Sequence, residues 1–239
     1  MPPLKDPKAF LAAARIDPSV FSLRPDYRAL LLIVQNIPPG PSDPTSETFL
    51  ASAESSAKSA LSTTTLTDIP HVAAWREAYK SFGVKPAKFR NSLEALMRRA
   101  ENGLPRVNRL TDIYNAISIK HQIPLGGEDL DKYVSAPFLI RATGEETFDT
   151  MAAGEVVEEK PPVGEVVWCD EKGVTCRRWN WRQCARTGLR DETTSVLFIM
   201  DALEPCGDEA LEKAAEELGS VLKGLSEGVV VEKRLLKKE

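Results

Sequence analysis

The densest run of chemically capable side chains is Arg177-Arg178-Trp179-Asn180-Trp181-Arg182-Gln183-Cys184. Guanidinium groups hold phosphate bidentately and indoles stack on bases or ribose, so interleaving the two suits the end of a single nucleic-acid strand. A structural account fits the same residues: a loop pinned by two buried tryptophans, with its arginines in ion pairs. Cys184 lies in locally positive surroundings that favour the thiolate a nucleophile needs. A free cysteine is more often a small buried hydrophobe, and His71 and His121 stand at no diagnostic spacing from this one. A second group is Pro124-Leu125-Gly126-Gly127-Glu128-Asp129-Leu130-Asp131-Lys132, which reads as a glycine-bearing turn with three acids, preceded in sequence by Asp112 and Asn115. Carboxylates and amides of this kind position a water or hold an ammonium; solvated and helix-capping acids would leave the same pattern.

The elements that must carry these groups follow from periodicity and turn chemistry. The apolar run Ala29 to Val34, stopped by Pro38-Pro39-Gly40-Pro41, suits a buried strand. Residues 40–66, rich in Ser, Thr and Ala over 45–66, read as a weak surface helix or a loop. Asp68 to Tyr79 reads as a helix, and Asn91 with Glu94 three residues on starts another that stops at Asn102-Gly103. Asn108 caps a third, in which Leu110, Ile113, Tyr114 and Ile117 form a core face and leave Asp112 and Asn115 on the other flank. Strands are expected at 138–140, 165–169, 174–176 and 195–200, the middle two joined as a hairpin through Asp170-Glu171-Lys172-Gly173. A helix carrying Leu211, Ala214, Ala215, Leu218 and Leu222 follows, and Val229-Val230-Val231 can close the sheet. This order predicts an α+β fold, one domain over 1–239, with a mixed or antiparallel sheet flanked by helices.

Composition narrows the function classes. With 239 residues, 42% hydrophobic and 28% charged, the chain can bury a full core. Its longest apolar run is far too short for a membrane span, and Pro2 and Pro3 after Met1 do not begin a signal peptide, so a cytoplasmic protein with reduced thiols is expected. The four cysteines form no C-x-x-C pair and the glycines no dinucleotide or P-loop pattern, so neither metal nor cofactor is expected. A net charge of -4 argues against a general nucleic-acid binder such as a DNA-binding protein. Charge is nevertheless segregated: Lys85 to Arg109 carries seven Lys/Arg against Glu94 and Glu101, and Cys176 to Arg190 carries five arginines and no acid. Two basic segments on an acidic body can meet phosphate locally.

These residues resemble the B3/B4 family, the module with which the phenylalanyl-tRNA synthetase β subunit inspects mischarged tRNA. That family's pocket reads roughly V-D-x-T-N and then G-Q-P-L-H-x-F-D-x-D-K. This chain has Thr111-Asp112-Ile113-Tyr114-Asn115 and, after the same gap, Gln122-Ile123-Pro124-Leu125-Gly126-Gly127-Glu128-Asp129-Leu130-Asp131-Lys132. Ser92 to Leu96, Leu104 to Asn108 and Arg141-Ala142-Thr143-Gly144-Glu145 are also similar to the family, and Trp179 to Gln183 to its free-standing branch, so the likeness runs from about 75 to 202.

The resemblance implies an α+β domain that accepts the charged 3′ end of aminoacyl-tRNA and hydrolyses a wrong ester. It carries catalytic roles to Asn115 and Asp129, matches the pocket's glutamate to Glu155, and puts Asp112, Tyr114, Gly126 and Gly127 at the substrate, with Tyr114 in place of the family threonine and Gly126 in place of its histidine. The tRNA-binding set is then Arg177, Arg178, Trp179, Asn180, Trp181, Arg182 and Gln183. Three outcomes stay open: a trans-acting editing deacylase, a tRNA or amino-acid-like ligand-binding module without turnover, and an acyltransferase using Cys184. The catalytic and anticodon modules of a synthetase are not expected. Neither a membrane nor a DNA partner is expected; protein partners are left open.

Overall fold

The computed structural model describes residues 6–238. Its N-terminal elements are α1 (Pro7–Ala13), β1 (Arg15–Ile16), α2 (Pro18–Leu23) and β2 (Arg28–Gln35). There follow α3 (Pro44–Thr63), α4 (Pro70–Ser81), α5 (Ser92–Ala100) and α6 (Arg109–His121), then β3 (Leu125–Asp129) and β4 (Phe138–Arg141). The C-terminal half adds β5 (Phe148–Ala152), β6 (Glu155–Glu159), β7 (Val166–Asp170), β8 (Gly173–Arg177), β9 (Arg182–Gln183), β10 (Val196–Ala202), α7 (Asp208–Lys223) and β11 (Val230–Lys237).

The strands form a four-stranded antiparallel sheet, β11-β2-β10-β3, a five-stranded mixed sheet, β1-β4-β7-β8-β9, in which only β1 and β4 run parallel, and the separate hairpin β5-β6. The architecture is α+β, as the order of elements predicted. The run Ala29 to Val34 lies inside a strand flanked on both sides, which is why both of its faces are apolar. One face of the four-stranded sheet, with Ala29, Leu31, Ile33, Leu197 and Ile199, packs against Trp168 and Cys176 of the five-stranded sheet. The other face, with Leu30, Leu32, Phe198 and Met200, is covered by α6 and α7.

Two segments differ from their most obvious reading. Residues 45–66 hold a 20-residue helix rather than a loop: Asp43 and Ser46 form a capping box, Pro44 fits the first turn, and Leu50, Ala53 and Ala57 are buried. The glycine-bearing stretch after Pro124 is not a turn but the edge strand β3, paired with β10 from Val196↔Asp129 to Met200↔Leu125. Two adjacent glycines suit a strand here because other side chains occupy the space above each of them. The three helix starts read from sequence are present at Asn91, Asn108 and the proline-started α4, although Glu94 turns away from Asn91 to meet Arg76 at 2.7 Å.

Candidate functional site

A cavity of about 760 Å³ opens between the two main sheets beside α5 and α6, within the usual 300–1,000 Å³ range of small-molecule sites. Side chains alternate across a strand, so residues two apart share a face. Gly126 and Glu128 of β3, with Ile199 and Asp201 of β10, therefore form its floor, while Gly127 and Phe198 point into the opposite core. Asn115 and Tyr114 reach one wall from α6. Trp168 and the turn Trp179-Asn180-Trp181 supply the facing wall.

That turn connects β8 to β9 through two consecutive left-handed residues, Arg178 (φ 47°) and Trp179 (φ 67°), a conformation that costs non-glycine residues about 1–3 kcal/mol each. The surroundings hold it. Trp179 is fully buried among Tyr27, Trp75 and Phe82, its backbone N–H donating to the Val166 carbonyl at 2.7 Å. Arg177 grips Glu165 with Nε and Nη2 at 2.8 and 3.0 Å and reaches Glu159 at 2.6 Å. Arg178 is sandwiched between the Phe89 and Trp181 rings, at 3.8 and 4.0 Å from their centroids, with Glu165 3.5 Å away. Burial holds its pKa below the usual guanidinium value.

Neither Arg177 nor Arg178 lines the cavity, so the most arginine-dense motif is largely structural, as the ion-pair account of it required. Of the second basic segment only Arg182 reaches the cavity mouth; Arg186 is bonded to Asp170. The other cations at the mouth are Lys88, Arg90, Arg98 and Arg99. Among the described residues, Lys88, Arg98 and Arg99 have no carboxylate within ion-pair distance, whereas Arg90 leans on Glu94 at 3.7 Å.

The structure brings Asn115, Tyr114, Gly126, Trp179, Asn180, Trp181, Arg182 and Gln183 to one cavity, and leaves the other sequence-derived candidates outside it. Asp112 is fully buried, accepting from the Ser42 hydroxyl at 2.5 Å and the Val107 N–H at 2.9 Å, and so ties the α3 start and the α6 entry together. Asp129 points to the other side of its strand from Glu128 and accepts from the Asp131 N–H and the Thr193 hydroxyl at 3.0 and 3.1 Å. Gly127 faces Phe198. Glu155 sits exposed on the β5-β6 hairpin. Cys184 belongs to a small core with Phe148 and Val174, its sulfur 3.1 Å from the Thr187 hydroxyl, and burial pushes its thiol up rather than down. That geometry removes the support for a Cys184 nucleophile.

The cavity also holds groups that the sequence pattern does not single out. Glu128 is hidden in the sequence because its segment reads as a turn; as a strand, Gly126 and Glu128 share a face and Asp129 does not. Asp201 is the one acid in the otherwise apolar strand 196–202, a signal visible in the sequence. Tyr27 donates to its Oδ1 at 2.5 Å, and burial raises the carboxyl to about 7. Glu128 accepts from the Tyr133 and Thr187 hydroxyls, and burial raises its pKa too. Burial likewise raises Tyr114, to about 12, so it is a neutral phenol.

Residues 74–220 match the B3/4 domain family. This chain belongs to that family. Its structure is similar to an N-terminal fragment of the phenylalanyl-tRNA synthetase β-subunit from Pyrococcus horikoshii, with a TM-score of 0.51 at 10% sequence identity, over 94% of this chain and 54% of that one. The chain thus spans about half the length of the synthetase fragment, and at this identity the likeness concerns the fold. Among curated protein sequences none matches. Family and fold agree in giving the chain a B3/4-type domain. No helix among the described residues is long and apolar enough to cross a membrane.

Proposed function

We propose that the chain binds the charged 3′ end of aminoacyl-tRNA at this cavity and hydrolyses the aminoacyl ester in trans. One observation carries the reading: a single cavity has unpaired cations at its mouth and carboxyl, carboxamide and indole groups inside. A polyanion carrying a cationic aminoacyl group at its tip has the complementary order of charge. Lys88, Arg98, Arg99 and Arg182 would meet the terminal phosphates, Trp181 a base or ribose, and the walls at Tyr114, Asn115 and Gly126 the amino-acid moiety.

In hydrolysis a water oxygen bonds to the ester carbonyl carbon, the carbonyl–ribose C–O bond breaks, and the ribose oxygen takes a proton as the free amino acid leaves. Positioning and N–H donors to the developing oxyanion supply the acceleration in this scheme. The test is a panel of correctly and wrongly charged tRNAs incubated with purified protein. Release above the spontaneous rate for at least one pair is expected, and none for any pair would refute hydrolysis.

A second reading, recognition without turnover, draws on the cavity's contents: neither histidine lines it, and Cys184 is walled off in a separate core. It predicts tRNA binding without ester loss. The logarithm of the binding constant should fall with the logarithm of salt concentration by a slope of about 0.7 for each single-strand phosphate that the protein neutralises. Arg98→Ala and Arg99→Ala should each lower that slope.

A further inference from the structure

The buried carboxyls outside the cavity are accounted for by the protein itself. Glu165 ion-pairs with Arg177 and Arg178, Glu94 with Arg76 and Asp170 with Arg186, while Asp112 and Asp129 are held by hydroxyls and backbone N–H groups. Asp201 is different. It is buried in the cavity floor, accepts a hydrogen bond from Tyr27, and has no Lys, Arg or His within ion-pair distance among the described residues. A buried carboxylate without a cation is costly, and the demand is met only by a proton or by a cation that enters.

Around it stand three N–H donors that complete no hydrogen bond: Trp168 Nε1, Trp179 Nε1 and Asn180 Nδ2. The Trp168 and Asn180 donors lean towards the Asp201 carboxyl and oppose the rise of its pKa, and the Trp179 indole leans towards Tyr27. All three side chains are more than nine-tenths buried and line the same cavity. Unsatisfied donors of this kind are rare in folded proteins and call for an acceptor. A carboxylate lacking a cation beside donors lacking an acceptor complements a ligand with an ammonium next to a neutral carbonyl oxygen. Glu128 is not part of this cluster: it pairs across the sheet with Leu197, four residues along β10 from Asp201 and so roughly 13 Å away.

We propose that Asp201 anchors the α-ammonium of the aminoacyl group, with the Trp168, Trp179 and Asn180 N–H groups taking the adjacent carbonyl oxygen. This rests on the reading of the cavity as an aminoacyl-tRNA site and makes that site proton-linked. Burial keeps the Asp201 carboxyl protonated up to about 7, so an entering ammonium must displace that proton. The titratable groups facing it are Tyr27 just before β2, Tyr79 of α4, Cys176 of β8 and, more distantly, Glu128 of β3. Burial raises all four, and none supplies a positive charge. His71 of α4, which accepts from the Leu203 N–H, is held near 4 and is neutral. Preference for an ammonium-bearing ligand therefore rises as pH approaches and passes 7, and falls again once an α-amino group itself deprotonates, near 8.

The experiment uses short RNAs ending in CCA whose terminal 3′-amino-adenosine carries alanine or phenylalanine through a stable amide, with the α-amino group free or acetylated, plus the uncharged RNA. By fluorescence anisotropy at pH 7.5, the free-amine forms should bind about ten- to a hundredfold tighter than the acetylated ones, the worth of a hydrogen bond to a charged group. That ratio should collapse at pH 5.5 and in Asp201→Asn, while uncharged RNA binds both proteins alike. Tyr27→Phe keeps the carboxylate but removes its donor, and should move the pH midpoint of the preference upward. Equal binding of free and acetylated forms, or an unmoved midpoint in Tyr27→Phe, overturns the anchor while leaving the tRNA site standing. If no RNA binds at all, the function proposed above falls, and the anchor with it.

Discussion

Gly126 and Gly127 are adjacent, yet adding a methyl group to each should have opposite consequences. A Cβ at Gly126 would lie 2.8 Å from Gln183 Nε2 and 3.6 Å from its Cδ, the free end of a long side chain. The amide can swing away, losing its 2.9 Å hydrogen bond to the Gly127 carbonyl, a cost of about 0.5–1.5 kcal/mol. Replacing glycine by alanine within a strand returns roughly 0.5–1 kcal/mol of backbone entropy. Gly126→Ala should thus be nearly neutral for stability, a Tm change of no more than about 3 °C, but it drives the Gln183 carboxamide into the cavity and should weaken ligand binding there. A Cβ at Gly127 instead meets the Phe198 ring at 2.9 Å and Leu189 at 3.1 Å. Both lie in or against the packed core under α6 and α7, so overpacking should cost about 1–3 kcal/mol and lower Tm by roughly 3–10 °C. Thermal denaturation of both variants, with a Gly126→Ala/Gln183→Ala cycle, is the assay, and the cycle should show coupling of at least about 0.5 kcal/mol. Equal destabilisation by the two glycine substitutions, or additive behaviour of positions 126 and 183, would refute the strand register that puts one on the cavity and the other in the core.

Glu165→Ala leaves Arg177 buried without its main partner and should destabilise by about 3–5 kcal/mol, seen as a lower urea midpoint; a loss under about 1 kcal/mol would show that Arg177 finds other partners. Cys184 should resist thiol reagents in the native protein and react only at the rate of unfolding, so rapid native labelling followed by mass spectrometry would count against its placement in the core. Stability should depend on pH through two opposed buried groups. Asp201, raised to about 7 from an ordinary 3.8, binds its proton more tightly when folded, so its contribution is complete below about 4 and is lost as pH rises towards 7. His71, depressed to about 4 from 6.5, binds a proton less tightly when folded, so its contribution disappears as pH falls from 6.5 to 4. The two offset each other between about 4 and 6.5. Asp201→Asn should therefore leave a stability that climbs with pH across that window in denaturant titrations, steeper than in the wild type; an unchanged slope would show that Asp201 does not hold its proton.

The amino-acid sequence by itself determined the local elements and the kinship. Caps at Asn91 and Asn108, the core stripe of α6, the hairpin around Gly173 and the buried run 29–34 depend on neighbours a few residues away, and periodicity records them directly. The motif words around Asn115 and Gly126 carried the family. What only the tertiary structure decided was which polar side chains meet. Arg177 and Arg178 read as phosphate ligands in the sequence, but the fold pairs both with Glu165, twelve and thirteen residues earlier in the chain. Asp129 and Glu128 differ by a single residue, but strand alternation sends one to a cap and the other to the cavity. Asp201 acquires its raised pKa only because β2, β7 and the turn after β8 fold over it, and burial of that kind is a property of non-local packing that no local pattern encodes.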